Sequence, residues 1–243
     1  MNSNKMTNQT SDSSLNKIAR IAGSTFLIVV IGYTLSWTFV YAKLIVAGNA
    51  AATANNIMAN ESLFRIGIMS DLMIAISTLI LAWALYIMLK PINKNLALLA
   101  LYLRLVEAIL AVITVSFSFI TLQILSGEAN STVIKPEQLQ FIVGLFLNLH
   151  ASSSTIPMVF TGTGSIIFFY LLFKSKYVPG ILAGFGIFSY LSLLIYILVK
   201  ILVAQPTSGM SNIELICYLP SVLFELIIGF WLLLKGVKVQ QTF

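Results

Sequence analysis

Charge is what this sequence has least of. Asp, Glu, Lys and Arg make up 9% of its 243 residues, against about a quarter in soluble domains. So few charges could not cover the surface of a water-soluble protein of this length, and a soluble globular fold is excluded. Cysteine is almost missing as well. The one present, Cys217, permits no intrachain disulfide and no cysteine-based metal site. There is a single histidine, His150. A metal centre needs several ligands, and no His, Cys and Glu set has suitable spacing, so no metal is expected. The net charge is +6, but the basic residues are scattered at segment ends. Without a basic patch interleaved with aromatics, nucleic acid is not expected as a partner. No cofactor motif is present either. Gly162-Thr163-Gly164-Ser165 lacks the lysine and the preceding strand of a phosphate loop. Inside an apolar run it reads as small residues that let helices approach closely.

What is there is apolar. Hydrophobic residues make up 58% of the chain, and several runs exceed the ~18 residues that mark a membrane-spanning helix. The expected fold class is all-α: a polytopic transmembrane helical bundle of six spans, multi-pass in the cell membrane, with the lipid bilayer as its main partner. Residues 1–16 are polar and read as a disordered tail; residues 17–243 read as one transmembrane helical domain. The first span, Ile21–Val40, is longer than the apolar core of a signal peptide and reads as uncleaved, with Trp37 and Tyr41 near its outer end. Asn49–Asn60 is a short connector or an interfacial turn of helix. The second span runs Glu61–Leu89 and stops at Pro91. The third follows from Asn93 to about Ile124.

A polar loop is expected over 126–136. Residues 138–173 are too long for one span, at about 54 Å if helical, and too short for two. They divide into an amphipathic or re-entrant piece, Glu137–His150, a bend at Ser152-Ser153-Ser154, and a fourth span, Thr155–Phe173. Pro179 suits the first turn of a fifth span reaching Val199. A turn-rich loop over 205–212 leads to the sixth span, Ile213–Leu234, with Pro220 as a kink.

Basic residues set the orientation. With the N-terminus inside, Lys5, Lys17, Arg20, Lys90, Lys94, Lys174, Lys176, Lys235 and Lys238 fall on the inner side. Lys43, Arg65, Lys135 and Lys200 fall outside. This bias predicts both termini inside.

Polar residues within the spans are not scattered. In the third span, steps of three and four connect Asn93, Ala97, Ala100, Arg104, Glu107, Ala111, Thr114, Ser118 and Thr121. Those steps trace one helix face. Every residue on it is small or polar, and most others are Leu, Ile, Val or Phe. The second span has its own stripe, Gly67, Asp71, Ala75, Thr78 and Ala82. The sixth has Glu214, Tyr218, Ser221, Glu225 and Gly229. An ionisable group at a helix centre in a bilayer costs at least ~2.5–3.5 kcal/mol. Asp71, Arg104, Glu107 and Glu225 are therefore the candidate polar cluster, with Arg65 and His150 as secondary candidates.

Three carboxylates against Arg104 leave an excess of negative charge, which a proton or a bound cation would offset. That suits a small carrier, a sensor for a small polar or cationic ligand, or an accessory subunit. Two alternatives stand beside it. One is an intramembrane enzyme on a lipid or prenyl substrate, with Glu107, Glu225 or His150 as acid or base. The other is a bundle whose charges only hold helices in register. No residue is assigned as catalytic. Arg65 reads as an interfacial anchor that can extend outward, and His150 as a polar residue at a helix bend.

Three stretches carry a resemblance: Asn49–Asp71 (NAAATANNIMANESLFRIGIMSD), Leu89–Ala108 (LKPINKNLALLALYLRLVEA) and Ser175–Leu191 (SKYVPGILAGFGIFSYL). They resemble a bacterial multi-span membrane family catalogued as domain of unknown function 4386. The resemblance covers the chain from about Lys17 onward. It implies a multi-span prokaryotic membrane protein and carries no activity, cofactor or site residue with it.

Overall fold

A computed structural model of the chain describes residues 2–46, 48–126, 136–203 and 210–238, with side chains in the outermost turns of three helices left out (residues 2–12, 136–137 and 210–212). The elements are α1 (Asn2–Ser36), a π-helical turn (Trp37–Tyr41), α2 (Ala42–Leu44), α3 (Ala50–Ala59), α4 (Glu61–Leu89), α5 (Lys94–Ser126), α6 (Pro136–Ser153), α7 (Thr155–Ser175), α8 (Gly180–Leu202) and α9 (Met210–Leu234). Among the described residues there is no strand. Six helical tracts are long and apolar enough to cross a membrane: Ser13–Leu44, Glu61–Leu89, Lys94–Ser126, Gln138–Ser175, Gly180–Leu202 and Ile213–Leu234. Of the expected loops, residues 127–135 and 205–209 lie outside the described residues, while Ser126, Pro136 and residues 210–212 belong to helices α5, α6 and α9; the backbone of the expected tail is part of α1 from Asn2 on, and most of its side chains lie outside the described residues.

The helix ends follow local chemistry. Asn49 caps α3 by accepting a hydrogen bond from the Ala52 amide at 2.9 Å. Asn93 caps α5 by accepting from the Leu96 amide at 3.0 Å. Pro91 lies in the turn after α4, and Pro179 stands at the N-cap of α8, where a missing amide hydrogen costs nothing. The Asn49–Asn60 connector is helical over Ala50–Ala59, and a single turn residue, Ser154, separates α6 from α7. Helix α9 runs on through Pro220.

The chain folds as two compact units. The first comprises residues 1–30, 77–107 and 158–243. Its core joins Phe26, Leu85, Met88, Phe168, Phe169, Tyr190, Phe224 and Ile228 with small residues such as Ala19, Ala22, Ala97 and Ala100. Phe169 and Phe224 meet edge to face, with ring centroids 4.5 Å apart, an arrangement favoured by the ring quadrupoles. Helices α1 and α9 touch backbone to backbone: a Cβ on Gly23 would stand 2.5 Å from the Leu233 nitrogen and 2.7 Å from the Gly229 carbonyl oxygen. Gly162 lies against Leu194 of α8, and Gly164 against Arg104 and the Ala100 carbonyl of α5. The Gly-Thr-Gly-Ser run is thus a helix-contact surface. Gly236 has φ +68° and ends α9; the Asn16 carboxamide oxygen fills the space beside it and accepts from the Val237 amide at 2.9 Å.

The second unit comprises residues 31–76 and 108–157. Val40, Tyr41, Leu44, Ile57, Phe64, Ile68, Val115, Leu122 and Val143 form its core. Gly67 of α4 leaves room for Val40 and Tyr41, and Gly144 of α6 leaves room for Ala50 of α3.

In both units large apolar side chains face outward. On α5 these are Leu99, Tyr102, Leu105, Val106, Ile109, Val112, Ile113, Phe119 and Ile120, whereas Ala97, Ala100, Arg104, Thr114, Ser118 and Thr121 are buried. In water that arrangement is inside out; against lipid it is the stable one, because acyl chains satisfy apolar side chains and no polar group.

Candidate functional site

In the first unit, Arg104 and Glu107 share one face of α5 because they are three residues apart. The Arg104 Nη1 lies 2.8 Å from Glu107 Oε2, and both side chains are largely buried, 7% and 13% exposed. The pairing is by charge: among the described residues no directed hydrogen bond reaches that oxygen. The other contacts of the pair come from α7. Arg104 donates a long hydrogen bond, 3.5 Å, to Ser165 Oγ, and Thr161 hydrogen-bonds Glu107. Gly164 lets the Arg104 chain pass, since a Cβ there would sit 3.2 Å from Arg104 Cγ. From α8, the Tyr190 hydroxyl donates to Glu225 Oε1 of α9. Arg104 and Glu107 both act electrostatically on Glu225 and Tyr190. Three of the expected residues, Arg104, Glu107 and Glu225, therefore form one group, with Tyr190 as a member that periodicity did not single out.

Asp71 belongs to the second unit, with different partners. The Tyr41 hydroxyl donates to Asp71 Oδ2, and Ser36 Oγ donates to Oδ1 at 3.3 Å. Ser36 and Tyr41 are five residues apart, flanking and ending the π-helical turn, and a π-helix brings residues i and i+5 together. Tyr41, unlike the 61%-exposed Trp37, is buried. His150, in the last turn of α6, brings its Nδ1 to 2.9 Å from Ser118 Oγ and 3.1 Å from the Thr114 carbonyl oxygen, both on α5. Ser153 donates to Thr114 Oγ1 at 3.1 Å. The Tyr41 and His150 rings lie 6.0 Å apart.

Arg65 is exposed and pairs with Glu61 one turn away, at 2.6 Å. Glu214, at the start of the α9 stripe, pairs with Lys200 at 3.5 Å across α8 and α9, also largely in the open. Among the described residues no three His, Cys, Asp or Glu side chains lie close enough together to hold a metal ion.

Six lipid-compatible helices with charged groups turned inward define a multi-pass integral membrane protein. Within that class the chain belongs to the family described as Domain of unknown function (DUF4386), whose model matches residues 21–236. No curated protein and no solved structure matches it.

Proposed function

We propose that the Arg104–Glu107–Glu225–Tyr190 group is a binding site for a small cationic or polar ligand, and that the protein works as a small carrier or ligand-binding sensor in the cell membrane. One observation supports this above others. Two carboxylates share a single guanidinium in an apolar core, and Arg104 is the cation that acts on both. With both carboxylates ionised, one negative charge is left over. Inside a low-dielectric span that charge calls for a cation, whether a proton, a metal ion or an ammonium group. The Tyr190 hydroxyl orients Glu225 and gives a ligand a second polar atom to meet.

The bias of basic residues towards one side supports an orientation with both termini on the cytoplasmic side. The tract over 138–175 is 38 residues long, about 57 Å as helix, roughly twice the ~30 Å hydrocarbon core. That excess supports α6 as an amphipathic or re-entrant segment, with α7 as the fourth span.

The test is a stability screen on purified protein, comparing wild type with Glu107→Gln and Glu225→Gln against alkali cations and simple alkylammonium ions. The expected result is a ligand-dependent rise in melting temperature for wild type that either Gln variant loses while still folding. A wild type indifferent to every cation, with both Gln variants poorly folded, would leave the group a helix clamp.

A further inference from the structure

In the first unit, three separate parts of the chain meet where α9 ends, and each brings a lysine. The Asn16 carboxamide oxygen of α1 accepts from the Val237 amide at 2.9 Å. The next amide, that of Lys238, donates at 3.0 Å to the carbonyl oxygen of Tyr177, in the link between α7 and α8. Lys17 and Lys176 adjoin the bonded residues and Lys238 is one of them; all three side chains are exposed. Lys174 and Lys235, each three residues before a junction residue, are exposed as well. None of these five is in an ion pair among the described residues. The described carboxylates of this unit have other partners: Arg104 for Glu107, Tyr190 for Glu225 and Lys200 for Glu214. Among the described residues, then, the chain offers this cluster of ammonium groups no counter-charge.

One of these lysines stands where a lysine is costly. Lys176 has φ +56°, the left-handed conformation with which glycine commonly ends a helix, because a Cβ there crowds the backbone. It follows α7 directly. Its amide reaches back to the Phe173 carbonyl oxygen at 3.4 Å, and Ser175 Oγ accepts from the Tyr177 amide at 3.2 Å. Glycine would make the same turn with less strain. Orientation in a membrane asks only for positive charge near the span ends, which Lys174 and Lys235 supply without it. A strained residue where an easier one would serve points to a role for its side chain.

We infer that this junction binds the headgroup phosphate of an anionic phospholipid, with Lys17, Lys176 and Lys238 as its main contacts. Ammonium groups give phosphate oxygens charge-assisted hydrogen bonds. The surroundings suit a lipid rather than a free anion. Phe173, Ile181 and Leu234, close in sequence to the lysines, are exposed apolar side chains that acyl chains would cover. Lys235 lies over the Trp231 ring, 4.2 Å from its centroid, and tryptophan favours the depth at which headgroups meet hydrocarbon. A phosphate held here ties together the start of α1, the α7–α8 link and the exit from α9. The junction shares no residue with the Arg104 group and binds lipid whether or not that group binds a ligand.

The test uses the full chain purified in an uncharged detergent. Its melting temperature is read with added dioleoyl phosphatidylglycerol, which is anionic, or zwitterionic dioleoyl phosphatidylcholine at equal mole fraction. Wild type is expected to rise more with the anionic lipid. Lys176→Gly removes the strained residue, so its melting temperature without lipid should equal or exceed that of wild type while most of the anionic-lipid rise is lost. Lys238→Gln should lose the rise as well. The double variant Lys90→Gln, Lys94→Gln, in the turn between α4 and α5, should keep it. Equal rises with the two lipids overturn the inference, and so does a full anionic-lipid rise in both Lys176→Gly and Lys238→Gln. A rise lost equally in the Lys90 and Lys94 variant would assign the effect to overall charge. A rise reproduced by inorganic phosphate alone would assign it to a free anion. Either of those results ends the lipid site.

Discussion

The two units bury carboxylates in opposite ways. The first surrounds Glu107 and Glu225 with a guanidinium, a phenol and a threonine. The second surrounds Asp71 with hydroxyls and an imidazole, and no Lys or Arg acts on it. A guanidinium brings a permanent charge, so its group resists neutralisation and depends on every member staying in place. Hydroxyls bring hydrogens that can move, so their network tolerates a change of proton position. The first arrangement rests on charge, the second on hydrogen bonds from neutral groups.

The contrast is broken most severely at Arg104. Arg104→Leu leaves Glu107 buried without its cation, and removing one member of such a pair costs about 3–5 kcal/mol. Adding Glu107→Leu should restore much of the loss, measured as denaturation midpoints in one detergent. Asp71→Asn in the second unit should cost less, about 1–3 kcal/mol, because the hydroxyls keep an acceptor. If the Asn variant proves the more damaging of the two, the distinction between the units fails.

Glycine contacts sharpen the comparison next. Gly23→Leu would drive a side chain into backbone atoms of α9, whereas Gly67→Leu meets side chains of Val40 and Tyr41. Overpacking costs about 1–3 kcal/mol, and the fixed backbone puts Gly23 at or above the top of that range. Gly67→Leu should also displace Tyr41, and an unaltered His150 spectrum in that variant would contradict its place beside the ring.

Paired tyrosine substitutions give a finer test. Tyr190→Phe removes a hydrogen bond to Glu225, and a bond to a charged group is worth about 1.5–3 kcal/mol. Tyr41→Phe should cost less than that, since Ser36 still donates to Asp71. At the bottom lies Arg65→Ala. Its pair with Glu61 is 51% and 41% exposed, and such pairs contribute about 0–1 kcal/mol. A larger drop in the melting temperature would mean that Arg65 has a role beyond the helix surface.

Much of the fold was legible in the residue order, for a definite reason. In a bilayer a polar residue must face inward, so a small or polar stripe reports the buried face of its own helix. On α5 the stripe from Ala97 to Thr121 includes Arg104, Thr114 and Ser118, all buried. On α4 the same holds for Gly67, Ala75, Thr78 and Ala82. Other parts were not legible. Ser36 and Tyr41 are five apart, and steps of three and four put them on different faces; only the π-helical turn joins them at Asp71. Tyr190 looks like any aromatic residue on an apolar helix until Glu225 is seen beside it. His150 reads as a bend residue, and only the packing of α6 on α5 brings it to Ser118.

The sequence alone determined that this is a membrane protein with six spans, and which face of α4, α5 and α9 avoids lipid. Those properties come from composition, capping residues and periodicity, all of which are local. The tertiary structure alone decided which polar groups meet: Glu225 with Tyr190, 35 residues away, and Asp71 with Tyr41, 30 residues away. A stripe specifies a direction from one helix axis. The partner at the end of that direction depends on how neighbouring helices are rotated, shifted and locally rewound, which no single helix encodes.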